Sequence, residues 1–585
     1  MHNDLRNFIE LLKKEKELKI IEAETDPYLE IAEIHRRVTS EGGPALLFAN
    51  VKGSEFPVAT NLIGTRRRVE LVMGPRPQTV IKQAASAAER LLPPSLGKLW
   101  RERSWLGSLK NIGLKNVGRR AAPILECEQA QPDVTKLPAL TSWPKDGGAF
   151  ITLPLVYTEH PATGAHNLGM YRIQIKSKNK TGVHWQIQKG GGFHYAAAEA
   201  MKQPLPVTVF VGGPLALTVA AITALPESIP ELLYASFLMN EKLPLVKTKG
   251  LVHPLVASAE FAICGIVKPK VREPEGPFGD HYGYYSLEHD FPVLNVQRVF
   301  HRKDAIYPAT VVGKPRQEDY WIGEWMQDLL SPLYPLVMPG VKALWNYAET
   351  GYHSLTGAIV RESYKREAMS HAFRILGEGQ LSLTKILMLT DKDINIKDFR
   401  ALLKAVLERM DPAQDITIIG GTSMDTLDYT GRSFNEGSKA IFTGVGQKLR
   451  ELPAEYSGGK LAHANKVDVF AAGCLLVEGK AYKDAPKLAE DFLASNAGKL
   501  KSWPIAVLVD DIKAAETTGG FLWNVFTRFD PALDIRAKYT FENNKAAYSF
   551  PIVIDARMKP WYPDELTPDE ATAKKVDARW KEYGL

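Results

Sequence analysis

Two stretches near the C-terminus repeat each other without a gap, and this duplication narrows the choice of fold more than any other feature. KILMLTD (385–391) is matched by PIAVLVD (504–510), and RMDPAQDI (409–416) by RFDPALDI (528–535), every pair lying 119 residues apart. Asp391 thus corresponds to Asp510, Arg409 to Arg528, Asp411 to Asp530 and Asp415 to Asp534. Each copy reads as a strand, a helix and a Pro-marked turn into another strand, which is an α/β unit. Two copies make a duplication, not a solenoid. The repeated Asp and Arg read as turn caps and structural ion pairs rather than catalysts.

A chain of 585 residues is too long for one core, and roughly three to four domains follow from its length. Hydrophobic content of 45% with 24% charged residues is that of an ordinary globular protein. A net charge of +6 suits an acidic or phosphate-bearing ligand and gives no indication of nucleic acid. Cys127, Cys264 and Cys474 are far apart without CxxC spacing, which argues against disulfides or a cysteine zinc site and for a reducing cytoplasm. The N-terminus has no apolar signal region. It reads instead as an amphipathic helix capped by Asp4, with Leu5, Phe8, Ile9 and Leu12 on one face.

The apolar stretch 205–226 approaches membrane-span length, but Gly212-Gly213-Pro214 interrupts it, so a buried strand, a turn and a buried helix fit it better. Residues 92–120 carry seven Lys/Arg against one acid, with Trp100 and Trp105 among them. They read either as a solvated surface excursion or as a peripheral membrane contact.

The expected fold class is mixed α/β. Four domains are expected: an N-terminal α/β domain over 1–118, a strand-rich barrel-like domain over 119–320, a C-terminal α/β domain over 321–480, and its second copy with a tail over 481–585. In the second of these, 151–159, 167–176, 183–188, 205–211, 261–267 and 291–300 read as strands. Helices are expected at about 193–202, 215–223 and 230–239.

Polar residues that suggest chemistry gather in this region. The segment 167–188 reads as a β-hairpin with its turn at 176–182. In a strict strand Asn167 and Arg172 face opposite sides, and a bulge at Gly169 would re-aim one of them. His184, Gln186 and Gln188 would share a face of the second strand. A lone His on a strand is commonly structural, but Asn167 is nearby and Glu231 follows Pro230 at a helix start. Asn, His and carboxylate make a mixed donor set suited to Mn²⁺ or Mg²⁺. Lys189-Gly190-Gly191-Gly192 opens a helix, either as a phosphate receptor or as a plain cap. Glu275 and Asp280 bracket Gly-Pro-Phe-Gly. Such a loop is either a solvated acidic turn or a pair in which one acid donates a proton and the other holds a buried Arg. A donor of this kind needs a raised pKa, and a reaction that leaves an electron pair on carbon needs a sink that no side chain provides.

NLGMYR (167–172), VHWQIQKGG (183–191), VFVGGPLALTVAAITALPE (209–227) and EGPFGDHYGYY (275–285), in this order, resemble the UbiD family of decarboxylases. The likeness runs from residue 4 to about 440. It implies an N-terminal α/β domain, a central split β-barrel that binds prenylated FMN, and a C-terminal α/β domain, assembled as a homo-oligomer, a dimer or hexamer. By motif, it assigns Asn167, His184 and Glu231 to a Mn²⁺ (or Mg²⁺) on the cofactor phosphate, with K⁺ as a further ion. It assigns Met170, Tyr171, Arg172, Trp185, Gln186, Lys189 and Gly190 to the prenylated flavin, and Arg172, Glu275 and Asp280 to catalysis. A flavin prenyltransferase is implied as supplier of the cofactor. Asp280 stands where members acting on acrylic acids carry Glu, Tyr282 stands where Thr is usual, and IFTGVG (441–446) replaces the expected C-terminal ending.

The reading is a non-oxidative decarboxylase of a hydroxyarene carboxylic acid in ubiquinone or menaquinone synthesis, acting on polyprenyl-4-hydroxybenzoate or dihydroxynaphthoate. The alternatives are a decarboxylase of a small phenolic or heteroaromatic acid and a non-catalytic flavin-binding protein.

Overall fold

The computed structural model describes residues 4–91, 95, 97–98, 107, 109–129, 131–186, 189–223 and 229–585. Its contacts separate two units, Met1–Leu329 with Glu565–Leu585, and Leu330–Asp564. Trp100, Trp105 and most of 92–108 lie outside the described residues, as do Ile187, Gln188 and 224–228.

The first unit begins with helix α1 (Leu5–Lys14), whose orphan Asn7 amide is taken by the Asp4 side chain while Leu5, Phe8, Ile9 and Leu12 are buried. Strands β1 (Leu18–Ile21), β2 (Ala45–Phe48), β3 (Val58–Thr60) and, from further along the chain, β15 (Tyr307–Pro308) form a small four-stranded sheet, with α2 (Glu30–Ser40) between the first two.

A nine-stranded antiparallel sheet follows. Its strands are β4 (Cys127–Gln129), β5 (Phe150–Ile151), β6 (Pro154–Glu159), β7 (His166–Gly169), β8 (Ile173–Ser177), β9 (Lys180–Val183), β10 (Leu205–Val211), β11 (Phe261–Glu275) and, beyond a short hairpin of β12 (Phe278–Gly279) and β13 (Tyr285–Ser286), β14 (His289–His301). The pairing order is β5-β8-β9-β14-β11-β10-β6-β7, with β4 on the edge of β14. Pairing follows an open path among the described strands. Helices α3 (Gly190–Ala200), α4 (Leu215–Ile222) and α5 (Glu231–Met239) are inserted among the strands, and α6 (Glu318–Leu330) follows them. The stretch 205–223 is thus strand, glycine turn and helix, with Gly212 and Gly213 at φ +75 and +112. No helix among the described residues is long and apolar enough to cross a membrane.

Two strand expectations are corrected. Residues 167–176 are not one strand: the chain leaves β7 at Gly169 and re-enters the sheet at Ile173, so Met170, Tyr171 and Arg172 lie between strands. The hairpin is β8–β9 with its turn at 178–179. β7 pairs with β6 instead, and the second strand ends at Val183, leaving His184–Gln186 irregular. A bulge at Gly169 is therefore not what re-aims Arg172; the break between β7 and β8 does it.

The long β11–β14 pair carries the chain to the site. Its register shifts between Cys264 and Gly265 and again between Val267 and Arg272, and it ends with Glu275 opposite His289. Gly265 has to be glycine here, because a Cβ would stand 2.2 Å from the Asn295 carbonyl oxygen.

The second unit holds two five-stranded sheets of one design. The first is β16 (Val341–Asn346), β17 (Leu355–Val360), β18 (Ile386–Thr390), β20 (Glu436–Gly444) and edge strand β19 (Ile416–Ser423). The other is β21 (Lys466–Ala471), β22 (Cys474–Glu478), β23 (Ile505–Val509), β25 (Lys545–Asp555) and edge strand β24 (Ile535–Glu542). In each, the first pair is antiparallel, the next two are parallel and the edge pair is antiparallel. The second sheet begins at Lys466, ahead of the boundary expected at 481, because β21 and β22 are needed to cover β23.

Helices α7 (Phe399–Leu407), α8 (Pro412–Asp415), α9 (Thr518–Phe526) and α10 (Pro531–Asp534) complete the two copies. Leu402, Leu403 and Val406 of α7 and their repeat equivalents Phe521, Leu522 and Val525 of α9 fill one core together with both sheets. Asp411 caps α8 and Asp530 caps α10, while Asp415 and Asp534 each accept the amide of the capping residue at 2.8 Å. Arg528 pairs with Asp510 at 3.5 Å, and Arg409 pairs with its neighbour Glu408. These are the capping and ion-pair roles that the repeat suggested.

Helix α11 (Glu570–Arg579) belongs to the first unit, where Lys575 and Arg579 grip the buried Glu30 of α2. Phe521 of α9 stacks on Phe470 of β21 with ring centroids 3.6 Å apart and meets Phe399 of α7, in the other copy, at 5.8 Å. Phe521→Ala is expected to destabilise the second unit by about 3–5 kcal/mol. A denaturant midpoint indistinguishable from wild type would mean that the copies do not share a core.

Candidate active site

Between β7 and β8 the backbone is free of ladder constraints, and Arg172 is directed into the first unit's interior, where its residue is only 9% exposed. Its guanidinium grips Glu275 with both Nε and Nη2, at 2.8 Å each, and donates from Nη1 to Asp280 Oδ2 at 2.5 Å. Nη2 also donates to Ser286 Oγ at 2.9 Å, and the Phe278 ring lies 4.8 Å from the guanidinium carbon. One planar cation thus joins the end of β11 to the loop between β11 and β14. His184 Nδ1 meets Glu275 Oε2 at 3.0 Å, with the Phe291 ring 4.1 Å from the imidazole.

The charge states follow from this geometry. Burial raises both carboxyl pKa values, but Arg172 and His184 override it for Glu275, bringing it to about 2. His281 and Arg172 do the same for Asp280, holding it well below the carboxylate range. For Arg172 burial opposes the charge, and the two acids more than restore it. His184 is pushed down by burial and by Arg172, so it is a neutral imidazole. The donor with a raised pKa expected of Glu275 or Asp280 is therefore not present in this arrangement. One carboxyl near the loop that is pushed up, to about 6, is Asp146, which burial raises although it accepts the amides of Gly279, Trp143 and Ser142.

A second group lies beside the first. Asn167 Nδ2 donates to Glu231 Oε1 at 2.8 Å, the Leu168 amide donates to Glu231 Oε2 at 3.1 Å, and Tyr171 Oη donates to Asn167 Oδ1 at 3.3 Å. Glu231 is the first residue of α5, as expected after Pro230, and burial raises its pKa. Helix α3 begins one residue beyond Lys189, and its three glycines form the first turn themselves. A Cβ on Gly190 would strike Asn167, and one on Gly191 would strike Trp185. Met170 and Gln186 are half-buried, and Trp185 and Tyr171 are buried. Of the three residues assigned to a metal, the structure bonds Asn167 to Glu231 and gives His184 to Glu275 instead.

The residues fit a bound cofactor and cation. Buried His184 Nε2 and Trp185 Nε1 have no hydrogen-bond partner among the described residues. Such atoms are costly unless a ligand or ion takes them up. Neutral imidazole, amide and carboxylate are ligands for a hard divalent ion, and the first turn of α3, whose Gly191 amide donates to Tyr171 Oη at 3.1 Å, is a glycine turn at a helix N-terminus of the kind that suits phosphate.

Ser286, Phe278, Asp146 and His281 were not identified from sequence. Phe278 and His281 sit inside the EGPFGDHYGYY motif and Ser286 directly follows it, so the motif itself marked them. Asp146 lies in SWPKDGGAF and reaches the loop only through the fold. The loop is also held by the chain's far end: the Leu566 amide donates to the Gly283 carbonyl at 3.0 Å, and Leu566 packs with Trp143 and Tyr285.

The chain matches three domains described as those of 3-octaprenyl-4-hydroxybenzoate carboxy-lyase: the N-terminal domain over residues 9–88, the Rift-related domain over 115–315 and the C-terminal domain over 320–444. The chain belongs to the UbiD family of decarboxylases. Among UbiD relatives it is 48% identical over 583 residues to a Chlamydia pneumoniae protein whose name makes it one subunit of a 4-hydroxybenzoate decarboxylase. The match covers 99% of this chain and 98% of the relative, and so includes the second copy of the repeat. The fold is that of the vanillic acid decarboxylase of Sedimentibacter hydroxybenzoicus in its closed form (TM-score 0.68, 24% identity, 78% of this chain and 95% of the other). It is also similar to an evolved dimeric form of the UbiD-class enzyme HmfF from Pelotomaculum thermopropionicum, solved with prFMN (TM-score 0.63, 25% identity, 79% and 99%).

Both carboxyl pKa values lie below their unfolded values, so the stability they contribute is fully present above about pH 4.5 and is lost as pH falls towards 2. Arg172→Ala strands two buried carboxylates at a cost of about 3–5 kcal/mol at pH 7. The deficit shrinks at pH 5, where one of them takes up a proton. Thermal unfolding at the two pH values measures this, and equal melting of variant and wild type at pH 7 would refute it.

Proposed function

We propose that this UbiD-family enzyme uses prenylated FMN with Mn²⁺ (or Mg²⁺), and K⁺ as a further ion, to decarboxylate a hydroxyarene carboxylic acid without net oxidation. The observation that carries the reading is Arg172 bridging Glu275 and Asp280 in a buried site beside unpartnered His184 and Trp185 nitrogens. Flavin binding alone has no use for two acids on one arginine. Asn167, His184 and Glu231 are the residues to hold the metal. Met170, Tyr171, Trp185, Gln186, Lys189 and Gly190 are those to contact the flavin. The bound cofactor supplies the electron sink for the pair left when CO₂ departs.

The residues of the chain do the rest. An incoming carboxylate is a third anion for Arg172, and it competes with Asp280 for Nη1. Once released from that bond inside a dry pocket, Asp280 has a higher proton affinity and becomes a donor to the ring carbon. Glu275, held by two bonds and by His184, stays ionised and keeps Arg172 in place.

The substrate proposed is a quinone precursor, polyprenyl-4-hydroxybenzoate or dihydroxynaphthoate, handled in the cytoplasm by a homo-oligomer that receives its cofactor from a flavin prenyltransferase. The name of the Chlamydia relative favours a second reading, a small hydroxybenzoate. Protein co-expressed with a flavin prenyltransferase is expected to release prenylated flavin and Mn²⁺ on denaturation, and to liberate CO₂ from one of these acids. Plain flavin or none, under conditions that load another UbiD enzyme, would refute the reading. Asp280→Asn should retain the flavin and lose about 10²–10⁴ in turnover; undiminished turnover would remove Asp280 from the chemistry. Glu231→Gln should lower metal and flavin content together, as measured by metal analysis and absorbance, and wild-type content of both would remove Glu231 from the metal site.

A further inference from the structure

Asp280 has two oxygens in two different surroundings. Oδ2 is held by Arg172, whereas Oδ1 accepts both the amide and the ring Nδ1 of His281, each at 2.8 Å. The Asp280 side chain is 12% exposed and that of His281 28% exposed, so the imidazole leads from the buried acid towards water. Asp319, at the start of α6, lies within electrostatic reach of both: burial raises its proton affinity, the cationic form of His281 lowers it and Asp280 raises it, with a net upward shift. Tyr282 stands edge-on to the imidazole, 5.3 Å between ring centroids.

This arrangement answers a requirement of the reaction. Replacing a carboxylate by hydrogen consumes one proton for each CO₂ released, and Asp280 is ionised at rest, so a proton has to be brought to it in every cycle. Arg172 does not give one up. Resting on the function proposed above, we infer that His281 is a positioning and relay residue that recharges Asp280. Imidazolium His281 passes its Nδ1 proton to Asp280 Oδ1, becoming neutral. Asp280 gives that proton to the ring carbon of the substrate and returns to the carboxylate. The neutral imidazole then turns about its Cβ–Cγ bond, takes a proton from water at the bare Nδ1 and turns back, which restores both of its N–H protons. No electrons are exchanged in these steps.

The test uses full-length protein loaded with prenylated flavin. His281→Gln keeps an N–H donor for Asp280 but cannot carry a proton through. It should lose about 10²-fold in kcat, with KM and flavin content as in wild type. His281→Ala opens a space beside Asp280, and its kcat should rise with added imidazole while that of wild type does not. A kcat for His281→Gln within about threefold of wild type would overturn the relay. So would a loss that follows loss of flavin, or one that imidazole leaves unchanged in His281→Ala, since those mark a structural role. Wild-type protein that releases CO₂ from no aromatic acid would overturn the proposed function and the relay together, whereas an active wild type matched by His281→Gln removes the relay alone.

Discussion

The site depends on one buried cation. Arg172 is short of water, which alone would be unfavourable, and close to two acids, which more than restore its charge. Together they give a guanidinium satisfied on Nε, Nη1 and Nη2 and two carboxylates that burial cannot protonate. The cation also has a structural consequence. Glu275 ends β11 and Asp280 lies in the following loop, so the same bonds that set the charges fix that loop on the sheet. Chemistry and loop geometry are coupled through a single side chain.

That coupling makes the resting site an ionised one. A proton donor at neutral pH needs a high pKa, yet both candidate acids are held low. In the mechanism we propose, competition reconciles this: a substrate carboxylate on Arg172 would weaken the hold on Asp280, so the donor is made when it is needed. Asp146, a buried acid with a raised pKa, is occupied with three backbone amides, one of them on the loop at Gly279.

The duplicated second unit shows what repetition does physically. Equivalent residues of α7 and α9 meet in one core, so each copy supplies the apolar face that the other must cover. The tail belongs to the first unit, where Leu566 braces the loop at Gly283 and α11 braces α2. Parts of the chain beyond residue 444, outside the three matched domains, thus support the site's own loop.

The sequence by itself determined the elements whose causes are local. The α1 cap and apolar face, the strand-turn-helix of 205–223, the start of α5 at Glu231 and the repeat with its Asp caps could all be read from neighbouring residues, because periodicity, glycine turns and capping act over a few positions. The residues of the site were legible too, since unusual polar groups stood in ordered motifs. Only the tertiary structure decided their partners and charge states. It broke 167–176 between two strands, gave His184 to Glu275 rather than to Asn167 and Glu231, and brought Asp146 and Leu566 to the loop from far along the chain. A side chain's partner and pKa are set by what packs against it across the fold, and one-dimensional spacing does not contain that information.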